Sequence, residues 1–173
     1  SEEQRVNNRI LKARLDELHL KSVTDGLTGT YTHGYLHEVL ELEMQHSLTS
    51  QVPLSVMILD IDDFKGINDL HGHLFGDRVI KEAAETISVN TRNEDILGRL
   101  GGDEFLVIMP AADHDTAAHV AKRVCSSIAK NGYMATVSIG VASLTGSEKV
   151  SASDLLHRAD VNLVARARHR PTG

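Results

Sequence analysis

Two apolar segments, DILGRL at 95–100 and FLVIM at 105–109, are separated by only Gly101, Gly102, Asp103 and Glu104. Parallel strands need a crossover of a dozen or more residues, so a connection this tight pairs the two segments as an antiparallel hairpin. A sheet is therefore obligatory, and two acidic residues sit at a hairpin tip.

The flanking segments say how that sheet is built. PLSVMILDI at 53–61 is a short apolar run with β-branched members and reads as a buried strand. The stretch after it is expected as a loop to residue 76. From Asp77, the residues Val79, Ile80, Ala83, Ala84 and Ile87 recur at helical spacing, which predicts a helix over 77–89. Beyond the hairpin, Pro110 and the DHD cluster begin a helix through Ala117, Ala121, Val124 and Ile128, and residues 133–143 restore a strand pattern. The order is β-α-β-β-α-β, the split βαβ or ferredoxin-like arrangement. It predicts an α/β (α+β) fold whose central sheet contains antiparallel strands, with helices on one face. Further helices are expected over 1–23, over 35–48, and from the Ser151 cap through Leu155, Leu156, Ala159 and Leu163.

Composition narrows the function. At 173 residues the chain suits one domain, able to bury roughly 70% of the surface its unfolded form exposes. Its 18 Lys and Arg against 24 Asp and Glu give a formal charge of −6, and there is no Trp with three Tyr and three Phe. A nucleic-acid platform needs a basic groove and stacking rings, so no nucleic-acid partner is expected. Cys125 stands alone, which rules out an intrachain disulfide, a zinc knuckle or a CxxC centre and favours a reducing compartment. No uninterrupted apolar run approaches the roughly 18–20 residues that a bilayer crossing takes, so neither a signal peptide nor membrane contact is expected within these residues. A start at Ser1 without Met is expected of a fragment of a longer protein. The stripe Val6, Ile10, Leu11, Leu15, Leu18 and Leu20 fits either a helix packed on its own domain or one that pairs two subunits.

Asp60 ends the 53–61 strand, and Asp103 tips the hairpin that should pair beside it. Two carboxylates converging at a strand end are costly unless a cation neutralises them, and Mg²⁺ is the natural choice, since it takes one or two carboxylates and completes its shell with water and phosphate oxygens. The same spacing also fits a turn-capping Asp60 and an Asp103 in a hairpin position that Asp favours. DIDDFK is no calcium loop, because Phe64 and Lys65 stand where an oxygen ligand and a Gly are required. Nor does His37-Glu38 begin a zinc-protease helix, because Glu41 replaces the second His. After the strand, Asp63, Phe64 and Lys65 can offer backbone N–H groups and an ammonium to phosphate. Asn68 and Asp77 pair an amide with a carboxylate, a combination able to read a purine edge. Asn and Asp in such loops also serve as plain turn formers.

These residues resemble the GGDEF family of diguanylate cyclases. Gly101-Gly102-Asp103-Glu104-Phe105 is the signature, preceded by Arg99, and DGLTG at 25–29, DIDDFKGINDLHGHLFGD at 60–77, SIGVA at 138–142 and LLHRAD at 155–160 are similar to the family's other motifs in the same order. The resemblance spans roughly 22–170 and implies a nucleotidyl-cyclase palm-like fold, with residues 1–23 a signalling or linker helix and 24–173 the cyclase domain. It further implies a homodimer in which each GTP 3′-hydroxyl attacks the α-phosphate of the opposite nucleotide, releasing cyclic di-GMP and two pyrophosphates. By motif position, Asp60, the Ile61 carbonyl and Asp103 would hold Mg²⁺, or Mn²⁺ in its place. Asp103 and Glu104 would be catalytic, Asn68 and Asp77 would read guanine, and Phe64 N–H with Lys65 would hold phosphates. Arg92-Asn-Glu-Asp95 resembles the RxxD inhibitory site for product, with Arg123 completing it; a surface Arg–Asp pair has the same spacing.

Three features depart from the family pattern. TGTYTHG stands where the family has an LTGL-x-N-R type turn, Ala167 stands at its Lys position and Pro171 at its Arg position. Arg166, Arg168 or Arg170 would then serve the triphosphate, Arg166 first, on the expectation that Arg166 and Arg170 share a helix face. A degenerate GGDEF module that binds GTP or cyclic di-GMP without turnover is the alternative. The expected setting is the cytoplasmic part of a larger sensor protein.

Overall fold

The computed structural model describes residues 1–131 and 135–167. Helix α1, Glu2–Val23, opens with a capping box in which the Ser1 hydroxyl accepts from Gln4 N–H while the Gln4 side chain returns a bond to Ser1. Its apolar stripe stays exposed along its length, Val6 through Leu20. The helix does not pack on its own domain. Helix α2, His33–Ser50, buries Leu36, Leu40, Met44 and Ser47, then stops at Gln51 in a left-handed conformation. There follow β1 (Leu54–Ile61), α3 (Phe64–His71), α4 (His73–Asn90), β2 (Ile96–Arg99), β3 (Glu104–Pro110), α5 (His114–Lys130), β4 (Val137–Leu144), α6 (Ala152–Val161) and β5 (Leu163–Arg166).

The strands form one sheet in the order β2-β3-β1-β4-β5, every pair antiparallel. This is the expected βαββαβ sheet with β1 at its centre. Strand β1 alternates between two cores. Met57, Leu59 and Ile61 pack with α4 and α5, whereas Val56 and Ile58 pack with α2 and α6. Helices thus cover both faces rather than one. The unit's own two helices take one side, and α2 and α6, from outside it, take the other, because a central strand apolar on both faces leaves neither open to water.

Four local expectations are corrected. The 62–76 stretch is not a loop, since α3 occupies it and α4 begins at His73 rather than Asp77. Gly72 separates the two helices at a φ of 86°, a conformation glycine tolerates. The last helix ends at Val161, and Leu163 begins the added strand β5. Asn162 draws the chain off the helix axis, its amide donating to the Val141 carbonyl at 2.9 Å and its own carbonyl accepting from Val141 N–H at 3.3 Å. Arg166 therefore lies on a strand, not a helix face; Arg168, Arg170 and Pro171 lie outside the described residues. Strand β4 begins at Val137, and the expected strand residues 133–134 also lie outside the described range.

Candidate active site

The strand register gathers the acidic residues. Asp60, the last but one residue of β1, stands opposite Glu104 of β3 and Ser138 of β4. Ser138 in turn faces Arg166 of β5, so one row across the sheet reads Glu104, Asp60, Ser138, Arg166. The ladder between β1 and the hairpin ends where Ile61 N–H donates to the Asp103 carbonyl at 3.1 Å. Asp60, Ile61, Asp103 and Glu104 are thus brought together, as expected.

Their electrostatics are adverse as they stand. Desolvation, the charge of Asp103 and a hydrogen bond shared with it push the Asp60 carboxyl up to about 7, and Glu104 and Asp62 add to the effect. Burial also raises Glu104, helped by Asp160 and Asp103. Glu104 and Asp160 line a cavity of about 340 Å³ with His33, Ile58, Leu100, Leu156 and His157. Among the described residues no cluster of three or more His, Cys, Asp or Glu makes a metal cage. Two carboxylates converging at a strand end nonetheless fit a hard divalent cation that keeps water and phosphate in the rest of its shell.

The hairpin tip is held from below. Arg99 Nε donates to the carbonyls of Gly101 and Gly102 at 3.0 and 3.1 Å, and Nη2 donates to Gly102 at 2.7 Å. A Cβ at Gly101 or Gly102 would meet nothing within 4 Å, so the pair leaves an open ledge of backbone beside Asp103.

On the other side of β1, Asp63 adopts a left-handed conformation, φ 47° and ψ 45°, and caps α3 by accepting from Gly66 N–H at 3.3 Å. Phe64 and Lys65 fall in the first helical turn, where N–H groups have no intrahelical acceptor. Gly76, the chain neighbour of Asp77, abuts Asn68, because a Cβ there would stand 1.8 Å from Asn68 Oδ1. That oxygen is buried and has no hydrogen-bond partner.

Arg92 and Asp95 form the pair their spacing allows. Arg92 Nη2 donates to Asp95 Oδ1 at 2.7 Å and to the Pro110 carbonyl at 2.9 Å, while Nη1 lies 3.4 Å from Glu94. This bonding raises the Arg92 guanidinium above its ordinary value, chiefly through the Asp95 hydrogen bond. Arg123 reaches the end of α4 from α5, donating to Asn90 O at 2.5 Å and Asn90 Oδ1 at 3.2 Å.

Two relationships escaped the sequence reading, the Arg99 contact with Asp25 and the bonding of Asp62. The partners of Asp62 lie more than 70 residues away, so no local pattern announces them.

An antiparallel βαββαβ sheet with carboxylates converging at the end of its central strand defines a palm-like α+β domain. The profile of the family "Diguanylate cyclase, GGDEF domain" matches residues 22–171. The chain is 35% identical over 159 residues to the response regulator PleD of Caulobacter vibrioides, covering 87% of this chain and 35% of PleD. It is 34% identical over 169 residues to the diguanylate cyclase DgcP of Pseudomonas aeruginosa, covering 91% of this chain and 25% of DgcP. The coiled coil and GGDEF domain of DgcB from Caulobacter crescentus, solved with c-di-GMP, superimposes with a TM-score of 0.84 at 25% identity, covering 91% of this chain and 87% of that one. The chain belongs to the GGDEF family. It spans about a third of PleD and a quarter of DgcP.

Proposed function

We propose that residues 24–173 form a diguanylate cyclase domain that condenses two GTP into cyclic di-GMP and two pyrophosphates. The observation that carries this reading is the convergence of Asp60, Asp103 and Glu104 at one strand end, with Asp60 raised to about 7 by burial and by the charge of Asp103. Asp60, the Ile61 carbonyl and Asp103 would hold Mg²⁺ or Mn²⁺, which when bound neutralises charge on the phosphate and the leaving pyrophosphate. Glu104, beside Asp103 and lining the cavity against α2 and α6, would take the proton of an attacking 3′-hydroxyl. Phe64 N–H and Lys65 would hold phosphates, joined by Arg166 from the row that contains Asp60. Asn68 and Asp77 would select guanine, since a carboxylate accepts from guanine's N–H pair and leaves adenine unsatisfied.

One chain offers one such site, so joining two nucleotides head to tail calls for a second copy related by a two-fold axis. The exposed stripe of α1 supports residues 1–23 as the signalling helix of that homodimer. Arg92, Asp95 and Arg123 form the inhibitory site for product; the c-di-GMP bound in the DgcB structure supports product binding in a close relative of this fold. No described helix is long and apolar enough to cross a membrane. The proposed setting is the cytoplasm, where GTP is available.

The competing reading, a GGDEF module without turnover, has Ala167 in its favour, because that residue packs against the core where the family has Lys. Incubation with GTP and Mg²⁺ followed by chromatography separates the two. Cyclic di-GMP is expected, and its absence after bound product has been stripped would sink the cyclase reading.

A further inference from the structure

Strand β1 leaves the sheet at the point where the proposed chemistry begins, and Asp62 controls how it leaves. Asp62 N–H donates to the Thr136 carbonyl at 2.9 Å. Its carboxylate is taken at both oxygens, Thr136 Oγ1 donating to Oδ2 at 2.7 Å and Ser138 Oγ donating to Oδ1 at 2.6 Å. Thr136 immediately precedes β4 and Ser138 is its second residue. Asp62 is thus bound three times to one neighbour, and the next residue, Asp63, turns the chain away in a left-handed conformation.

The Asp62 N–H and the Ile61 carbonyl belong to the same peptide unit, which is planar and trans, so the two groups point in opposite directions. Fixing the N–H onto β4 fixes the carbonyl toward β3, where Asp103 stands. Among the described residues no backbone N–H outside the strands and helices donates to that carbonyl, although Ile61 N–H donates to Asp103. A carbonyl aimed beside two carboxylates can serve as an oxygen ligand. Its aim depends on a side chain whose own oxygens are both occupied.

We infer that Asp62 is a positioning residue: held by Thr136 and Ser138, it locks the Ile61–Asp62 peptide so that the Ile61 carbonyl faces the place between Asp60 and Asp103 where a divalent cation binds. The role rests on the cyclase reading above. It is a matter of geometry rather than charge, since Asn can keep the same bonds by accepting from Ser138 and donating to the Thr136 hydroxyl. Outer-shell partners of this kind commonly govern metal affinity by about 10–100-fold.

The test is the binding of Mn²⁺, followed by its electron paramagnetic resonance signal, in the presence of α,β-methylene GTP, whose bridging carbon prevents turnover. Asp62→Ala and the double variant Thr136→Val with Ser138→Ala are expected to raise half-saturating Mn²⁺ by about 10-fold or more. Asp62→Asn is expected to stay within about threefold of the parent chain, because it retains the bonds. Thermal melting identifies any variant that fails to fold. Should Asp62→Ala be one, Asp62→Asn and the single variant Thr136→Val decide the matter, the first expected near the parent value and the second weakened. Parent-like Mn²⁺ binding by folded Asp62→Ala or Thr136→Val overturns the role, as does an Asp62→Asn as weak as the alanine variant. A parent chain that retains no Mn²⁺ with the analogue overturns the cyclase reading and this role together, whereas one that retains Mn²⁺ regardless of Asp62 overturns the role alone.

Discussion

Arg99 Nη1 lies 3.3 Å from both carboxylate oxygens of Asp25, 74 residues away in the chain, while its remaining nitrogens hold the Gly101 and Gly102 carbonyls. Burial would raise the Asp25 carboxyl, but hydrogen bonds from Thr28 and the charge and bonding of Arg99 outweigh it and leave it lowered. One guanidinium therefore ties the turn that follows α1 to the tip that presents Asp103. Arg99→Ala should cost about 2 kcal/mol of stability and lower cyclic di-GMP formation well beyond that of a surface variant. Arg99→Lys should fail to restore it, because a point charge cannot serve two carbonyls and a carboxylate at once. Chemical denaturation and product chromatography read the two effects.

Asp60 makes stability depend on pH in a stated direction. Its ordinary value of 3.8 applies to the unfolded chain and about 7 to the folded one, so between these the folded state carries the extra proton. Stability then falls as pH rises from about 4 through about 7, because the unfolded chain binds fewer protons there. Without metal, the melting temperature should decline over that window, and Asp103→Asn should flatten the decline by removing the like charge. The same variant should abolish turnover. A melting curve indifferent to pH in both proteins would refute the coupling.

Gly76 leaves room for the Asn68 amide. A Cβ would stand 1.8 Å from Asn68 Oδ1, the end of a side chain free to swing, so Gly76→Ala should fold normally and displace that amide. The Michaelis constant for GTP is expected to rise about tenfold or more with a smaller change in kcat, as loss of a base-reading contact requires.

Gly140 gives the opposite case. Its Cβ would meet the Ala159 backbone carbonyl at 1.8 Å, where α6 crosses β4, and backbone cannot swing aside. Gly140→Ala should destabilise the fold by about 3 kcal/mol in denaturant titration.

Arg92→Ala should raise the cyclic di-GMP concentration needed for half inhibition at least about tenfold, since the variant loses a bidentate anion fork. It should also cost some stability, because the Asp95 side chain, only 1% exposed, keeps just the Arg92 backbone N–H. An unchanged inhibition curve would remove Arg92 from the regulatory role.

Local pattern was enough for most of the sheet and for part of the site. The hairpin follows from the four residues that join its strands, and Asp60 with Asp103 follows from where β1 and the hairpin end. The net charge of −6 was legible too, since 60–77 contributes five acids against Lys65 and Asp103 with Glu104 supply the rest. Helix α3 was hidden because it is only eight residues long and carries Gly66, Asn68 and Asp69, so its short apolar face of Phe64 and Ile67, half-buried on the core, passes for a loop. Strand β5 read as helix because LLHRADVNLVARAR keeps helical spacing, and only the bonds of Asn162 to Val141 divert it. The charge of Asp60, the grip of Arg99 on Asp25 and the threefold hold of Thr136 and Ser138 on Asp62 are the work of tertiary structure alone. Each depends on groups brought together from distant segments, and periodicity along a chain carries no information about which distant segments meet.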